Sequence, residues 1–422
     1  MSKSVALYTL GCKLNFSETT AIGRMLEKDG FVQKSFEDNA DIYIINTCAV
    51  TESAEKEARQ IVRRIQRRSP GSMVVIIGCY AQLKPKEIAE LPGVTLVLGA
   101  TEKFNISYHL QTLHQNDSGR ICSCDIEDVN VFIPSYSVHE RTRVFLKVQD
   151  GCDYNCSFCT IPLARGKSRS NTIEKVVEDV RKLGADGTRE VVLTGINLGD
   201  FGKGYEGGRK REEAFYDLIQ ALDDDGAVDR FRISSIEPNL LTSDIISFVA
   251  NSKHIMPHFH IPLQSGSNKT LAAMRRRYKR ELYLEKVQEI KSIMPHACIG
   301  VDVIVGFPGE TEDDFDETTA FIQSLNISYL HVFTYSERAN TDALKISDVV
   351  PVGIRHDRNR ILRNLSYHKM RDFTRMYSGQ KRSVLFESQS KNGMMEGYSD
   401  NYIKVIAPYQ EKWVNEIVDW EI

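Results

Sequence analysis

Residues 143–160 read RVFLKVQDGCDYNCSFCT, and the reading of this stretch decides the fold. Arg143–Val148 is an apolar run of strand length, followed at once by Cys152, Cys156 and Cys159 in a C-x3-C-x2-C spacing. Loops this short bring three thiolates to one face of an iron–sulfur cube. A structural zinc site would bring four protein ligands, and the nearest further Cys or His residues, Cys124 and His139, lie more than ten residues upstream. A strand that delivers three ligands to a loop is the first unit of a strand–helix series with its chemistry at the carboxyl ends.

Downstream, the alternation continues. Glu190–Thr194, Arg232–Ile236, His258–Pro262, Ala297–Val305 and Tyr329–Thr334 read as strands, with helical patterns at Ile173–Leu183, Ala214–Leu222 and Arg280–Ile293 between them. Six such units make an open or partial barrel. Upstream, Val5–Leu10, Asp41–Asn46, Val74–Gly78 and Val94–Leu98 read as buried strands, with helices near Ser17–Lys28 and Ala54–Arg68. That alternation predicts a second α/β domain with a parallel sheet. Cys12, Cys48 and Cys79 follow three of its strands, in LGCKLN, INTCAV and IGCYAQ. Parallel strands end on one edge, where ligands of open α/β sheets bind. The position alone admits two readings, a set of metal ligands or three buried structural cysteines.

The expected organisation is α/β throughout. It comprises an N-terminal parallel domain (1–120), a connector (121–140), a partial (βα)6 barrel (141–375) and a small β-rich piece (376–422). Short strands at Ser383–Glu387, Met394–Ser399 and Tyr402–Ala407 define the last of these. Nine cysteines without a leader-like N-terminus argue for a cytoplasmic protein with metal-bound thiolates rather than disulfides. No apolar run is long enough to span a membrane. Cys122, Cys124 and Cys298 fall outside both triplets and are expected to ligate nothing.

The C-x3-C-x2-C loop, with Phe158 before its last cysteine, is similar to the signature of the radical S-adenosylmethionine superfamily. The upstream cysteine segments, together with TGIN (194–197), SSIEP (234–238), HIPLQSGS (260–267), VDVIVGFPGET (301–311) and YSERANTDA (335–343), resemble the methylthiotransferase family over nearly the whole chain. The resemblance implies two 4Fe–4S clusters, one on Cys152, Cys156 and Cys159 and an auxiliary one on Cys12, Cys48 and Cys79, with S-adenosyl-L-methionine as cofactor. By the same resemblance Phe158, Thr194, Gly195, Asn197, Glu237, Gln264 and Gly306 surround that cofactor, and the C-terminal piece is a TRAM-like β-barrel.

TLGCKLNFSE, GCYAQ and DGCDYNCSFCTIPLARGKSRS most resemble the branch that converts N6-threonylcarbamoyladenosine, beside the anticodon at position 37 of tRNA, to its 2-methylthio derivative. Implied partners are the tRNA anticodon stem-loop, a reductant protein and a sulfur donor. Rival readings are an isopentenyladenosine tRNA or a ribosomal-protein aspartate as substrate, or a non-catalytic iron–sulfur RNA-binding protein. A threonylcarbamoyl group carries a carboxylate, for which Arg165, Arg169 and Arg338 are candidate partners. His260, inside the apolar HFHIPL, reads as a hydrogen-bonded core histidine and not as a catalytic base.

The net charge of −3 gives no global signal of a nucleic-acid binder. Three local basic clusters stand out: Arg63, Arg64, Arg67 and Arg68; Arg275–Arg277 with Lys279 and Arg280; and Arg355–Arg375, with seven Lys/Arg against two Asp. Residues 376–422 carry five Lys/Arg and seven Asp/Glu, so any RNA contact there needs shape or aromatic stacking, with Tyr398 or Tyr402 as candidates.

Overall fold

A computed structural model describes residues 3–49, 52–113, 117–137, 142–203, 205–206, 209–210, 213–389 and 392–422. These form two compact units, the first drawn from 1–138, 145–154 and 159–169, the second from 139–144, 155–158 and 170–422.

The first unit is built on a parallel sheet of β1 (Ser4–Thr9), β2 (Val32–Lys34), β3 (Ile42–Thr47), β4 (Met73–Gly78), β5 (Leu96–Leu98) and β6 (Arg120–Cys122), in the order β2-β1-β3-β4-β5-β6. Side-chain alternation buries both faces. Ile42, Ile44, Val75 and Ile77 pack on Ile22 and Leu26 of α1 (Lys13–Lys28), while Tyr43, Ile45, Val74 and Ile76 pack on Ala58, Ile61 and Ile65 of α2 (Glu52–Arg68). Such two-sided burial is why β3 and β4 are near-continuous apolar runs. Two strands escape the sequence reading, β2 and β6 at the sheet's edges. Both are three residues long, and VQK in β2 is exposed throughout, so no apolar alternation marks it. With β6, the expected connector begins as the sheet's last strand.

The second unit carries the later strands of the expected series: β8 (Glu190–Thr194), β9 (Arg230–Ile233), β10 (His258–His260), β11 (Cys298–Val305) and β12 (Tyr329–Thr334). The first of the series, β7, spans Arg143–Lys147. Parallel pairing joins β8 to β9, β10 to β11 and β11 to β12, and bridges at Phe231–Ile255 and Ser235–His260 carry the order from β9 to β10. The third strand begins two residues earlier than its apolar pattern indicates, because Arg230 and Arg232 belong to it. Both are buried arginines. Arg232 pairs with Glu190 Oε1 at 2.7 Å and donates to Ser399 O at 2.7 Å, while Arg230 donates to Ser383 O at 2.8 Å.

Those acceptors belong to the C-terminal piece. Here the structure has a four-stranded antiparallel sheet of β13 (Lys381–Gln389), β14 (Met394–Ser399), β15 (Lys404–Pro408) and β16 (Ile417–Glu421), in the order β15-β14-β13-β16. It closes on its own small core of Val384, Phe386, Met395, Val405 and Ala407 with Trp413 and Trp420. Tyr398 and Tyr402 are both half-buried and already have partners within the unit. Tyr398 lies under Arg143, 4.1 Å from ring centroid to guanidinium, and Tyr402 packs tilted against His258, 4.2 Å between centroids.

Candidate functional site

In the first unit the cysteine geometry is set by three neighbouring strands. Cys48 and Cys79 directly follow β3 and β4, and Cys12 follows β1 at the start of α1. Since β1, β3 and β4 are adjacent and parallel, the three thiols leave one edge. The loops are pressed together: a Cβ on Gly11 would stand 2.6 Å from Cys48 Cβ, and one on Gly78 would stand 2.3 Å from Asn46 Oδ1. Both glycines hold φ near +95°, at +98° and +94°, which a side chain would also disfavour. Buried Asn15 ties two of the loops, its Nδ2 donating to Leu10 O at 2.9 Å and to Thr47 O at 3.1 Å. Cys48 and Cys79 are buried and Cys12 is exposed, so the set is closed on the sheet side and open on the other. Three soft thiol donors on one rigid edge fit a three-ligand iron–sulfur cube.

Behind the cysteines lies a buried ion network that the sequence does not announce. Glu18, fully buried on α1, receives Lys103 Nζ at 2.6 Å, Lys147 Nζ at 3.1 Å and Arg165 Nη1 at 3.1 Å. Arg165 also reaches Asp150 Oδ1 at 2.9 Å and Asn15 Oδ1 at 2.6 Å, and Arg169 pairs with Asp150 Oδ2 at 2.9 Å. Four cations thus face two carboxylates. Burial alone would raise the Glu18 carboxyl, but Arg165, Lys103 and Lys147 hold it well below the usual carboxylate range. Asp150 is held low in the same way by Arg165, Lys147 and Arg169. Burial pushes the Cys79 thiol up, and Arg165 opposes it. The surplus positive charge borders a small pocket lined by Cys79, Lys103, Lys147, Arg165, Arg169 and Phe104, among others.

The second cysteine loop is anchored locally. Tyr154 N donates to Cys152 Sγ at 3.4 Å and Ile161 N to Cys159 Sγ at 3.5 Å. Cys156 Sγ accepts from Arg276 Nη1 at 3.0 Å, and burial pushes its thiol up against that cation. The segment around Cys156 is fixed to the second unit by Ser157, which donates through N to Met274 O at 3.1 Å and through Oγ to Ala273 O at 2.8 Å. Phe158 packs edge-on to Phe307, 6.4 Å between centroids, in an apolar cluster with Met274, Ile304 and Tyr335.

The remaining expected residues sit at the carboxyl ends of the strands. Thr194 closes β8 with Gly195 after it, and Asn197 Oδ1 accepts from Glu237 N at 3.2 Å. Glu237, raised by burial and opposed by Arg276, forms an ion pair with that arginine. Gln264 adopts φ +68° and bridges β11, its N donating to Asp302 O at 2.8 Å. Gly306, at φ +74°, turns toward Arg355, whose Cγ would lie 2.3 Å from an added Cβ. Arg338 is buried, and its carbonyl accepts from Thr341 Oγ1 at 2.7 Å.

The basic clusters do not stand as three cationic faces. Arg276 is the buried partner of Cys156 and Glu237, while Arg275 pairs with Asp342 at 2.6 Å. In α3 (Val352–Arg375), Arg355 and Arg358 point inward to Glu337 at 2.6 Å and Glu310 at 2.7 Å. Arg64 and Arg68 share Glu37, at 3.7 and 2.8 Å. Arg276, Glu18, Lys103, Lys147 and Asp150 are the site residues that sequence reasoning missed. No local signal marks them, because their partners lie far along the chain.

Known proteins bear on this geometry. Residues 4–99 match the model described as uncharacterized protein family UPF0004, and residues 146–322 match the radical SAM superfamily. The threonylcarbamoyladenosine tRNA methylthiotransferase MtaB of Bacillus subtilis is 36% identical, over 99% of this chain and 93% of that protein. The MtaB of Aquifex aeolicus is 38% identical, over 94% and 95%. A tRNA-2-methylthio-N(6)-dimethylallyladenosine synthase of Clostridium botulinum is 31% identical, over 91% and 86%. Among solved structures, the radical S-adenosylmethionine methyltransferase TsrM of Kitasatospora setae aligns with TM-score 0.57 at 15% identity, over 79% of this chain and 75% of that one. The likeness in fold is independent of close sequence kinship.

Proposed function

Because the chain belongs to the radical S-adenosylmethionine methylthiotransferase family, we propose that it is an enzyme that methylthiolates N6-threonylcarbamoyladenosine in tRNA, at C2 of the base beside the anticodon. The observation that carries this reading is the edge formed by β1, β3 and β4, where Cys12, Cys48 and Cys79 emerge from adjacent parallel strands. Relatives named for the threonylcarbamoyl substrate are 36% and 38% identical, against 31% for one named for the dimethylallyl substrate.

Cys12, Cys48 and Cys79 hold one 4Fe–4S cluster, and Cys152, Cys156 and Cys159 hold the other together with S-adenosylmethionine. Bound there, the clusters and cofactor would supply one-electron reduction, radical chemistry and the sulfur to be transferred. The chain's own residues position and shield. Arg276 steadies the Cys156 thiolate and holds Glu237 ready for the ribose hydroxyls. Thr194, Gly195 and Asn197 offer close backbone and polar contacts to the cofactor's amino-acid end, Phe158 excludes water, and Gln264 and Gly306 shape the turns beneath. Arg165 and Arg169 pair with Glu18 and Asp150 beside the auxiliary cysteines, and Arg165, Arg169 and Arg338 are together the candidates for the carboxylate of the substrate. The C-terminal sheet, in this reading a TRAM-like module, and the outer face of α3 contact the anticodon stem-loop in the cytoplasm. A reductant protein and a sulfur donor complete the turnover.

The test is anaerobic reconstitution followed by reaction with tRNA lacking the methylthio group. About eight irons per chain are expected, four for each cube. Nucleoside analysis is expected to show 2-methylthio-N6-threonylcarbamoyladenosine. Product on dimethylallyladenosine alone would reassign the substrate, and absence of 5′-deoxyadenosine would overturn the radical reading altogether.

A further inference from the structure

On β10, β11 and β12, one face of the second unit's strands carries a chemistry that the proposed reaction does not use. Alternation places Cys298, Gly300, Asp302 and Ile304 of β11 on that face, with His258 and His260 of β10 and Tyr329, His331 and Phe333 of β12 beside them. One end of the face is closed by Tyr329, His258 and Tyr402, with His258 Nε2 hydrogen-bonded to Tyr329 Oη at 3.0 Å. At the other end Ile304 packs in the cluster that holds Phe158. Between these two layers stand His260, Asp302 and His331.

Their ligand atoms, one from each residue, all lie within 4.8 Å of one another. Asp302 and His331 are directly paired across the parallel ladder, and His260 stands diagonally to Asp302 on the other side. The first imidazole is oriented as a ligand would be: His260 Nδ1 is hydrogen-bonded to Ser235 Oγ at 2.9 Å, which directs Nε2 to Asp302 Oδ1 at 2.8 Å. The two histidine rings stand nearly perpendicular, at 86°, with centroids 5.5 Å apart. His260 and Asp302 are partly buried and His331 is exposed, so the group is walled on the strand side and open on one side. Two imidazoles and one carboxylate on rigid strands are the donor set of mononuclear divalent sites that keep coordination positions open, whether Zn2+ or Fe2+.

We propose that His260, Asp302 and His331 bind one divalent transition-metal ion, of the zinc or ferrous class. Ser235 orients His260, and the remaining coordination positions are left to water or to an oxygen ligand. This site is separate from both cysteine triplets and stands whether or not the methylthio reading does. It also revises the sequence expectation for His260: the residue is a core-strand histidine, but its polar edge joins a ligand cluster.

The test uses the reconstituted holoenzyme, with all six cluster cysteines filled, dialysed anaerobically against Zn2+ alone while iron is counted in parallel. One zinc per chain beyond an unchanged iron count is expected. His331→Ala and Asp302→Asn are each expected to weaken zinc binding at least about 100-fold, and Ser235→Ala by about 10-fold, the range seen when outer-shell partners of ligating histidines are removed. His331 is exposed, so its variant keeps the test valid if changes at His260 disturb folding. No zinc beyond the clusters, or binding unchanged in both His331→Ala and Asp302→Asn, overturns the proposal. Formation of 5′-deoxyadenosine, measured on the same samples, reports separately on the radical reading.

Discussion

Replacing Glu18 with Gln preserves the shape of the side chain and removes one negative charge from the middle of the buried network. Three cations touch that carboxylate, Lys103 at 2.6 Å, Lys147 at 3.1 Å and Arg165 at 3.1 Å, and only Asp150 would remain to balance them and Arg169. Breaking a buried pair from one side costs about 3–5 kcal/mol, because the remaining charges stay desolvated. At about 2–4 °C per kcal/mol for a unit of this size, the midpoint of its thermal unfolding should fall by roughly 6–20 °C. Anaerobic calorimetry of wild type and variant measures the difference. The pH dependence follows from the depressed carboxyl. Its stabilisation is fully present above the unfolded carboxylate value of about 4.3 and is lost as pH falls from there toward the folded value. The gap between the two proteins should therefore be constant from about pH 5 to 8 and shrink below about pH 4. A drop under about 2 °C, or a gap that widens on acidification, would refute the reasoning. Glu52→Gln provides the contrast, since its pair with Lys56 is mostly exposed and worth under about 0.5 kcal/mol.

Three further outcomes are expected. Gly78→Ala adds a methyl where Asn46 Oδ1 and Thr47 O stand 2.3 and 2.5 Å away, so iron should fall from about eight to about four per chain while S-adenosylmethionine cleavage persists. Arg276→Gln removes the donor to Cys156 and the partner of Glu237. A charged hydrogen bond is worth about 1.5–3 kcal/mol, so 5′-deoxyadenosine formation should slow by about 10-fold or more, with KM for the cofactor raised as well. Tyr398→Leu keeps bulk beneath Arg143 but removes the ring face. Denaturant unfolding should show a loss of about 1–2 kcal/mol, and tRNA affinity should stay within about twofold; a large loss of tRNA binding would restore the stacking role.

What the sequence discloses here is whatever repeats or clusters locally. β3, β4 and β11 are long apolar runs because both faces are covered, and their periodicity survives in the one-dimensional text. The cysteine triplets are legible because they are local too, one with a thiol after each of three strands and the other gathered in a single loop. Glu18 and Arg276 are not legible, because their partners lie 85 to 147 and 39 to 120 residues away, and nothing local separates a buried charge from a solvated one. The basic stretches mislead by the same route: Arg355 and Arg358 look like a cationic helix face until Glu337 and Glu310 are brought to them by the fold. The C-terminal piece was correctly read as β-rich, but its strand order is a matter of long-range pairing, and the structure has an antiparallel sheet of four strands.

Arg230 and Arg232 reach from β9 to the carbonyls of Ser383, Tyr398, Ser399 and Asp400, and Tyr402 lies against His258. The last 42 residues are therefore a stopper for the strands they follow, not a detachable tail. Cutting the gene before Lys381 to obtain a minimal catalytic core would uncork two buried guanidinium groups and the carboxylate of Glu190 at a stroke. A shortened protein that fails on tRNA would then be reporting a spoiled foundation, whatever its missing strands do for RNA.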